Sequence, residues 1–198
     1  GGADILIGGT GNDTFIFNSN DVVTGESISE SSGEGTDVVA IVTSTDFVNM
    51  TAASFDNIEQ VRFAGANQTG TFTGAQFTGE TLSLTETAAG TSNLIINVGS
   101  GTTATFTNLT AGSGFTNGTD TITINGTTGN ENITGPNLAT TIDGGDGADT
   151  LVGGNDNDVY LFDTNDVDAG ESITDSGGAA DVVAIVTSTD FVNMTAAS

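Results

Sequence analysis

The sequence predicts an all-β chain in which short strands and turns are stacked as tandem repeats. Three observations predict it: a long segment recurs almost unchanged, a nine-residue period runs inside the repeated unit, and the stretch between alternates threonine with apolar residues. At 198 residues the length suits one ordinary domain or a stack of small repeats, so the repetition decides.

DVVAIVTSTDFVNMTAAS occurs twice, from Asp37 and from Asp181, 144 residues apart. Upstream, Gly8 to Phe17 (GGTGNDTFIF) aligns with Gly153 to Phe162 (GGNDNDVYLF) at a spacing of 145, and NDVVTGESI aligns with NDVDAGESI. The chain therefore holds one full unit of about 145 residues and the opening of the next. The opening GGADILIGG reads as the interior of a longer array, with no leader segment ahead of it.

Residues 1–7 read as the end of a preceding nonapeptide block, and 8–54 as a glycine turn with the start of the unit. Within 8–54, GGTGNDTFI (Gly8 to Ile16) fits G-G-x-G-x-D-x-U-x, where U is apolar, at every position. SGEGTDVVA (Ser32 to Ala40) keeps half of the pattern around Asp37, and STDFVNMTAASF (44–55) suggests a short helical turn over one face. Residues 55–125 read as strand after strand: IEQVRFA, TGTFTG, TLSLT, NLIINV, TATFTNL and TITIN. Their irregular spacing, mostly without two-residue hairpin links, favours longer stacked coils over an antiparallel β-sandwich inserted between repeat blocks. Residues 126–161 divide without gaps into GTTGNENIT, GPNLATTID, GGDGADTLV and GGNDNDVYL, whose eighth positions are Ile133, Ile142, Leu151 and Tyr160. Residues 153–198 begin the next unit, with SGGAADVVA (Ser176 to Ala184) repeating the half-motif around Asp181, as GTDTIT does around Asp120. Such half-motifs fit metal turns and plain strand starts equally.

Composition narrows the chemistry. Arg62 is the one basic residue against 26 acidic ones, for a net charge of −25, and there is no histidine or cysteine. That excludes the usual zinc, haem and iron–sulfur sites and any histidine- or cysteine-assisted nucleophile. An acidic surface is also wrong for nucleic acid and for an anionic membrane, and no apolar run is long enough to cross a bilayer. The 35% of hydrophobic residues cluster in short runs, so the chain reads as folded, with bound cations offsetting self-repulsion. Oxygen donors select a hard ion such as calcium. Several N-x-T triplets, such as those at Asn49 and Asn108, read as coincidence in an Asn- and Thr-rich chain.

On its nonapeptides the chain resembles the RTX family of secreted calcium-binding proteins, particularly repetitive bacterial cell-surface and extracellular-matrix members. That resemblance implies a parallel β-roll, a β-solenoid in which two nonapeptides form an 18-residue coil and calcium lies between stacked turns. It implies that Asp4, Asp13, Asp149 and Asp158 are calcium ligands, with carbonyls from Gly9, Gly11, Gly145 and Gly147. Glu131 takes the aspartate's position in a degenerate turn, whereas Thr140 brings no carboxylate. Asp156 replaces a turn glycine, and Asp37 and Asp181 extend the set. Asn and Asp also suit turns that hold no metal.

The expected function is a calcium-stabilised structural or adhesive protein outside the cell: a filament, a surface layer or an adhesin stalk. The resemblance implies export by type I secretion, with folding on meeting external calcium, and self-association into a filament or lattice fits a long array. The alternative is a carbohydrate-binding module facing a cell-surface or matrix polysaccharide, although tryptophan is absent and Tyr160 is the one tyrosine. Catalysis is not expected, because Arg62 is the only available basic residue and calcium accounts for the carboxylates.

Overall fold

The computed structural model describes residues 2–33 and 35–194. Gly1, Glu34 and residues 195–198 lie outside the described residues; the first belongs to the expected 1–7 block, the second to the SGEGTDVVA half-motif, and the last four to the second long repeat.

The chain runs in successive circuits. The first has β1 (Ile5–Ile7) and β2 (Thr14–Phe17); the second has β3 (Ser27–Ser29), β4 (Val38–Ile41) and the two-residue β5 (Thr45–Asp46). The third has a 3-10 turn (Ala52–Phe55), β6 (Gln60–Phe63) and β7 (Thr69–Thr73). In the fourth, one turn of helix, α1 (Gly74–Phe77), precedes β8 (Leu82–Glu86) and β9 (Asn93–Asn97). The fifth has β10 (Thr103–Thr105), β11 (Leu109–Ala111) and β12 (Thr121–Thr127). Shorter circuits then carry two strands each: β13 (Asn132–Thr134) with β14 (Thr141–Gly145), β15 (Thr150–Val152) with β16 (Val159–Phe162), and β17 (Ser172–Thr174) with β18 (Val182–Ile185). A second 3-10 turn, Phe191–Asn193, follows.

Every strand ladder among the described residues is parallel, so 55–125 forms no antiparallel insertion. The sheets run β18-β16-β14-β12-β9-β7-β5, β11-β8-β6-β4-β2, β10-β13-β15-β17 and β1-β3. The 3-10 turn at Ala52–Phe55 and α1 pack in series between β3 and β10, so helical turns stand where the third row of strands is interrupted. Register follows the nonapeptides: Asn132 pairs with Thr150 and Thr141 with Val159, each 18 residues on, whereas Thr14 pairs with Val38 and Asn93 with Thr121 across longer circuits.

Alternation along the strands sets the core. Ile133, Ile142 and Leu151 are fully buried and Tyr160 nearly so, all at the eighth position of their nonapeptides. In the wider circuits one aliphatic side chain per strand does not span the interior, and phenylalanines fill it. Phe47 stacks on Phe72 with centroids 4.6 Å apart, and Phe17 and Phe55 meet Phe47 edge-on. The buried Gln76 fixes this region by donating to the carbonyls of Phe47 and Met50 and accepting the Thr73 N–H.

The two copies of the repeat occupy different sheets. β2 and β4 lie in the five-stranded sheet, whereas their sequence equivalents β16 and β18 extend the seven-stranded one. Val38 to Ile41 are buried, with β6 paired beyond them, while Val182, Val183 and Ile185 in the equivalent strand are half-exposed.

Candidate metal centre

Stacked turns bring the position-six residues into line, and their carboxylates bind backbone amides of the circuit before. The Asp13 N–H donates to Asp37 Oδ1 (2.8 Å) and the Asp37 N–H to Glu59 Oε2 (2.8 Å). Likewise the Glu131 N–H donates to Asp149 Oδ1 (2.7 Å) and the Thr140 N–H to Asp158 Oδ1 (2.9 Å). Position-five asparagines bond in the other direction: Asn12 Oδ1 accepts from Thr36 N–H, Asn130 Oδ1 from Ala148 N–H and Asn157 Oδ1 from Ala179 N–H. These side chains satisfy amides that no strand ladder reaches, which holds the turns in register. Gly9, Gly11, Gly145 and Gly147 have φ of +103°, +105°, +79° and +125°, conformations that disfavour other residues.

Among the described residues, three carboxylate groups can hold a metal ion, each with ligand oxygens within 4.8 Å of one another: Asp13 with Glu30 and Asp37, Asp158 with Asp175 and Asp181, and Asp146 with Asp163 and Asp166. The first two are equivalent sites in the two copies. Four of their members, Asp13, Asp37, Asp158 and Asp181, were legible in the nonapeptides and half-motifs. Glu30 and Asp175 lie outside the motif, just beyond β3 and β17; the signal for them is an acid kept at a spacing of 145.

The equivalent sites differ in how their oxygens are satisfied. In the first, the Gly9 N–H donates to Glu30 Oε1, leaving Asp13 Oδ2 and Glu30 Oε2 buried without a partner; both crowd the space a side chain at Gly8 would occupy. In the second, the Gly154 N–H donates to Asp158 Oδ2 (2.8 Å) and the Tyr160 hydroxyl to Asp175 Oδ2 (2.7 Å). Phe15 stands where Tyr160 does and has no such donor. Orphaned, water-excluded carboxylate oxygens in an all-oxygen set fit a hard divalent cation.

The remaining predicted residues are placed as follows. Glu131 is buried, and its carboxylate accepts from the N–H groups of Gly101 (2.6 Å) and Thr127 (2.9 Å) and from the Thr127 hydroxyl. Asp156 accepts from the Asn117 side chain (2.7 Å), and Asp4 is exposed, its N–H donating to Glu26. Asp149 is fully buried, and its Oδ2 has no partner. Burial, and then the charges of Glu131, Asp166 and Asp143, raise the Asp149 carboxyl to about 7. Burial lifts Glu171 to about 8, aided by Asp149 and Asp166, and raises Asp158 to about 6. Metal-free, these turns resist ionisation. The cleft between α1 and β10, about 700 Å³ and lined by Thr73, Gly74, Thr78, Asn97, Val98 and Thr103, carries no carboxylate.

No protein-family model, curated protein or solved structure matches the chain.

Proposed function

We propose that this chain is a calcium-stabilised tandem-repeat protein, a β-solenoid whose nonapeptide coils form a parallel β-roll, serving a structural or adhesive role outside the bacterial cell. One observation carries it: stacking at 18-residue and longer intervals gathers carboxylates into groups, and in the first of these, two oxygens sealed from solvent, Asp13 Oδ2 and Glu30 Oε2, find no donor among the described residues. With 26 acids and one base, protein cations cannot neutralise them. Asp13, Glu30 and Asp37 would hold one ion and Asp158, Asp175 and Asp181 another, supplying the charge the turns lack. Binding then favours the folded chain by mass action. A protein of this kind would stay unfolded in a calcium-poor cytoplasm, leave by type I secretion, and wind into a stiff filament, surface lattice or adhesin stalk where calcium is plentiful.

Circular dichroism in chelator and in millimolar calcium tests the mechanism. The expected result at pH 8 is less β-structure and a lower thermal midpoint in chelator than in calcium. Equal β-content and equal thermal midpoints in the two conditions would remove the basis for the reading.

A further inference from the structure

The segment joining β16 to β17 carries four carboxylates outside any nonapeptide: Asp163, Asp166, Asp168 and Glu171. β16 pairs with β14 and β17 with β15, so this segment lies against the turn at 143–149. Asp163 and Asp166 come within 4.8 Å of Asp146 in that turn. Further inside, the Asp149 N–H donates to Glu171 Oε2 (2.7 Å). The other oxygens of this pair, Asp149 Oδ2 and Glu171 Oε1, are sealed from solvent with no hydrogen-bond partner, and both residues are 0% exposed. Asp166, itself 4% exposed, belongs to the outer group, where it accepts the Asp163 N–H.

The Asp158 turn shows what is missing. There the amide of the second glycine, Gly154, satisfies the second oxygen of the position-six aspartate. In the Asp149 turn the corresponding Gly145 N–H is drawn to Asp143 Oδ1 (3.0 Å), so Asp149 Oδ2 has no donor. Two buried, unpartnered oxygens on carboxylates whose residues are joined by a hydrogen bond need a positive charge with them, and the chain has none to offer there.

We propose that a calcium ion joins the nonapeptide block to the segment opening the next repeat, held by Asp149 Oδ2 and Glu171 Oε1, with the Asp146, Asp163 and Asp166 group as an outer ring of charge. This rests on the calcium reading above but concerns a separate ion, with one of its two carboxylates, Glu171, outside the nonapeptides. It also distinguishes the copies: Gly1 and Asn18 stand at the positions of Asp146 and Asp163, so the first copy lacks two of the five carboxylates.

Calcium titration of the full chain by isothermal calorimetry, alongside terbium luminescence, tests it in wild type, Glu171→Gln and Asp163→Asn. Glu171→Gln should lower the stoichiometry by one ion, with the rest still bound. Asp163→Asn, on an exposed position and copying the residue of the first copy, should keep the fold and weaken one ion by about tenfold. It therefore serves as the test if Glu171→Gln fails to fold. Unchanged stoichiometry and affinities in a folded Asp163→Asn chain would overturn the junction ion while leaving the turn ions standing. A wild-type chain that binds no calcium would overturn both readings.

Discussion

Removing calcium should make the chain's stability depend on pH in a direction opposite to ordinary acid denaturation. Burial raises Asp149 from 3.8 to about 7 and Glu171 from 4.5 to about 8. A carboxyl whose folded pKa lies above its unfolded value contributes stability that is complete below the unfolded pKa. That contribution is lost as pH rises through the folded pKa. The window here runs from about pH 4 to pH 8. At roughly 1.4 kcal/mol per unit, moving from pH 4.5 to pH 8 costs about 3 to 5 kcal/mol for either carboxylate alone. The pair together costs less than twice that, because each shift already includes the other's charge. A loss of this size is a large part of the roughly 5 to 15 kcal/mol that holds an ordinary domain folded. Urea titrations of the chelator-treated chain, followed by far-ultraviolet circular dichroism, should give a higher midpoint at pH 4.5 than at pH 8, and calcium at pH 8 should restore it. A metal-free chain as stable at pH 8 as at pH 4.5 would show that these carboxylates are hydrated or otherwise neutralised, and the electrostatic account of the turns would fail.

Two further predictions concern single side chains. Tyr160→Phe makes the second acidic group resemble the first by removing the hydroxyl that donates to Asp175; we expect about 1–2 kcal/mol lower stability in chelator and recovery in calcium, read from paired urea titrations. Gly145→Ala should cost well over the roughly 1–2 kcal/mol of a left-handed alanine, because its Cβ would also strike the Thr127 carbonyl oxygen. Gly9→Ala, with a similar positive φ and no atom within 4 Å of the new Cβ, should cost the backbone term alone; thermal midpoints of the two variants give the comparison.

Much of the architecture was legible in the spacing. Gapless nonapeptides put Ile133, Ile142 and Leu151 inside and pair positions 18 residues apart, because the strand period of two and the turn length leave little freedom. The wider circuits kept no fixed period, so which strands of 55–125 share a sheet was not readable. α1 went unread, only its Gly74 falling in the strand segment TGTFTG; the clue was Thr73 followed three residues later by Gln76, which returns to the Thr73 amide. At the acidic groups the motif identified the position-six aspartates but not Glu30 or Asp175, which approach from the next circuit, nor Asp146, Asp163 and Asp166, which meet only because β16 lies beside β14. Glu131 shows a partner set that its position in the motif does not reveal. Its longer side chain reaches the amides of Gly101 and Thr127 and satisfies its carboxylate there.

The sheet exchange between the two copies bears on how the chain can be cut. Because β16 and β18 extend the sheet begun by β5, while β2 and β4 belong to the sheet ending at β11, the join between copies is lapped like staggered planking. No cross-section at the sequence boundary separates one copy from the other without parting a ladder that spans both. Fragments trimmed at repeat boundaries would therefore expose raw strand edges and tend to clump.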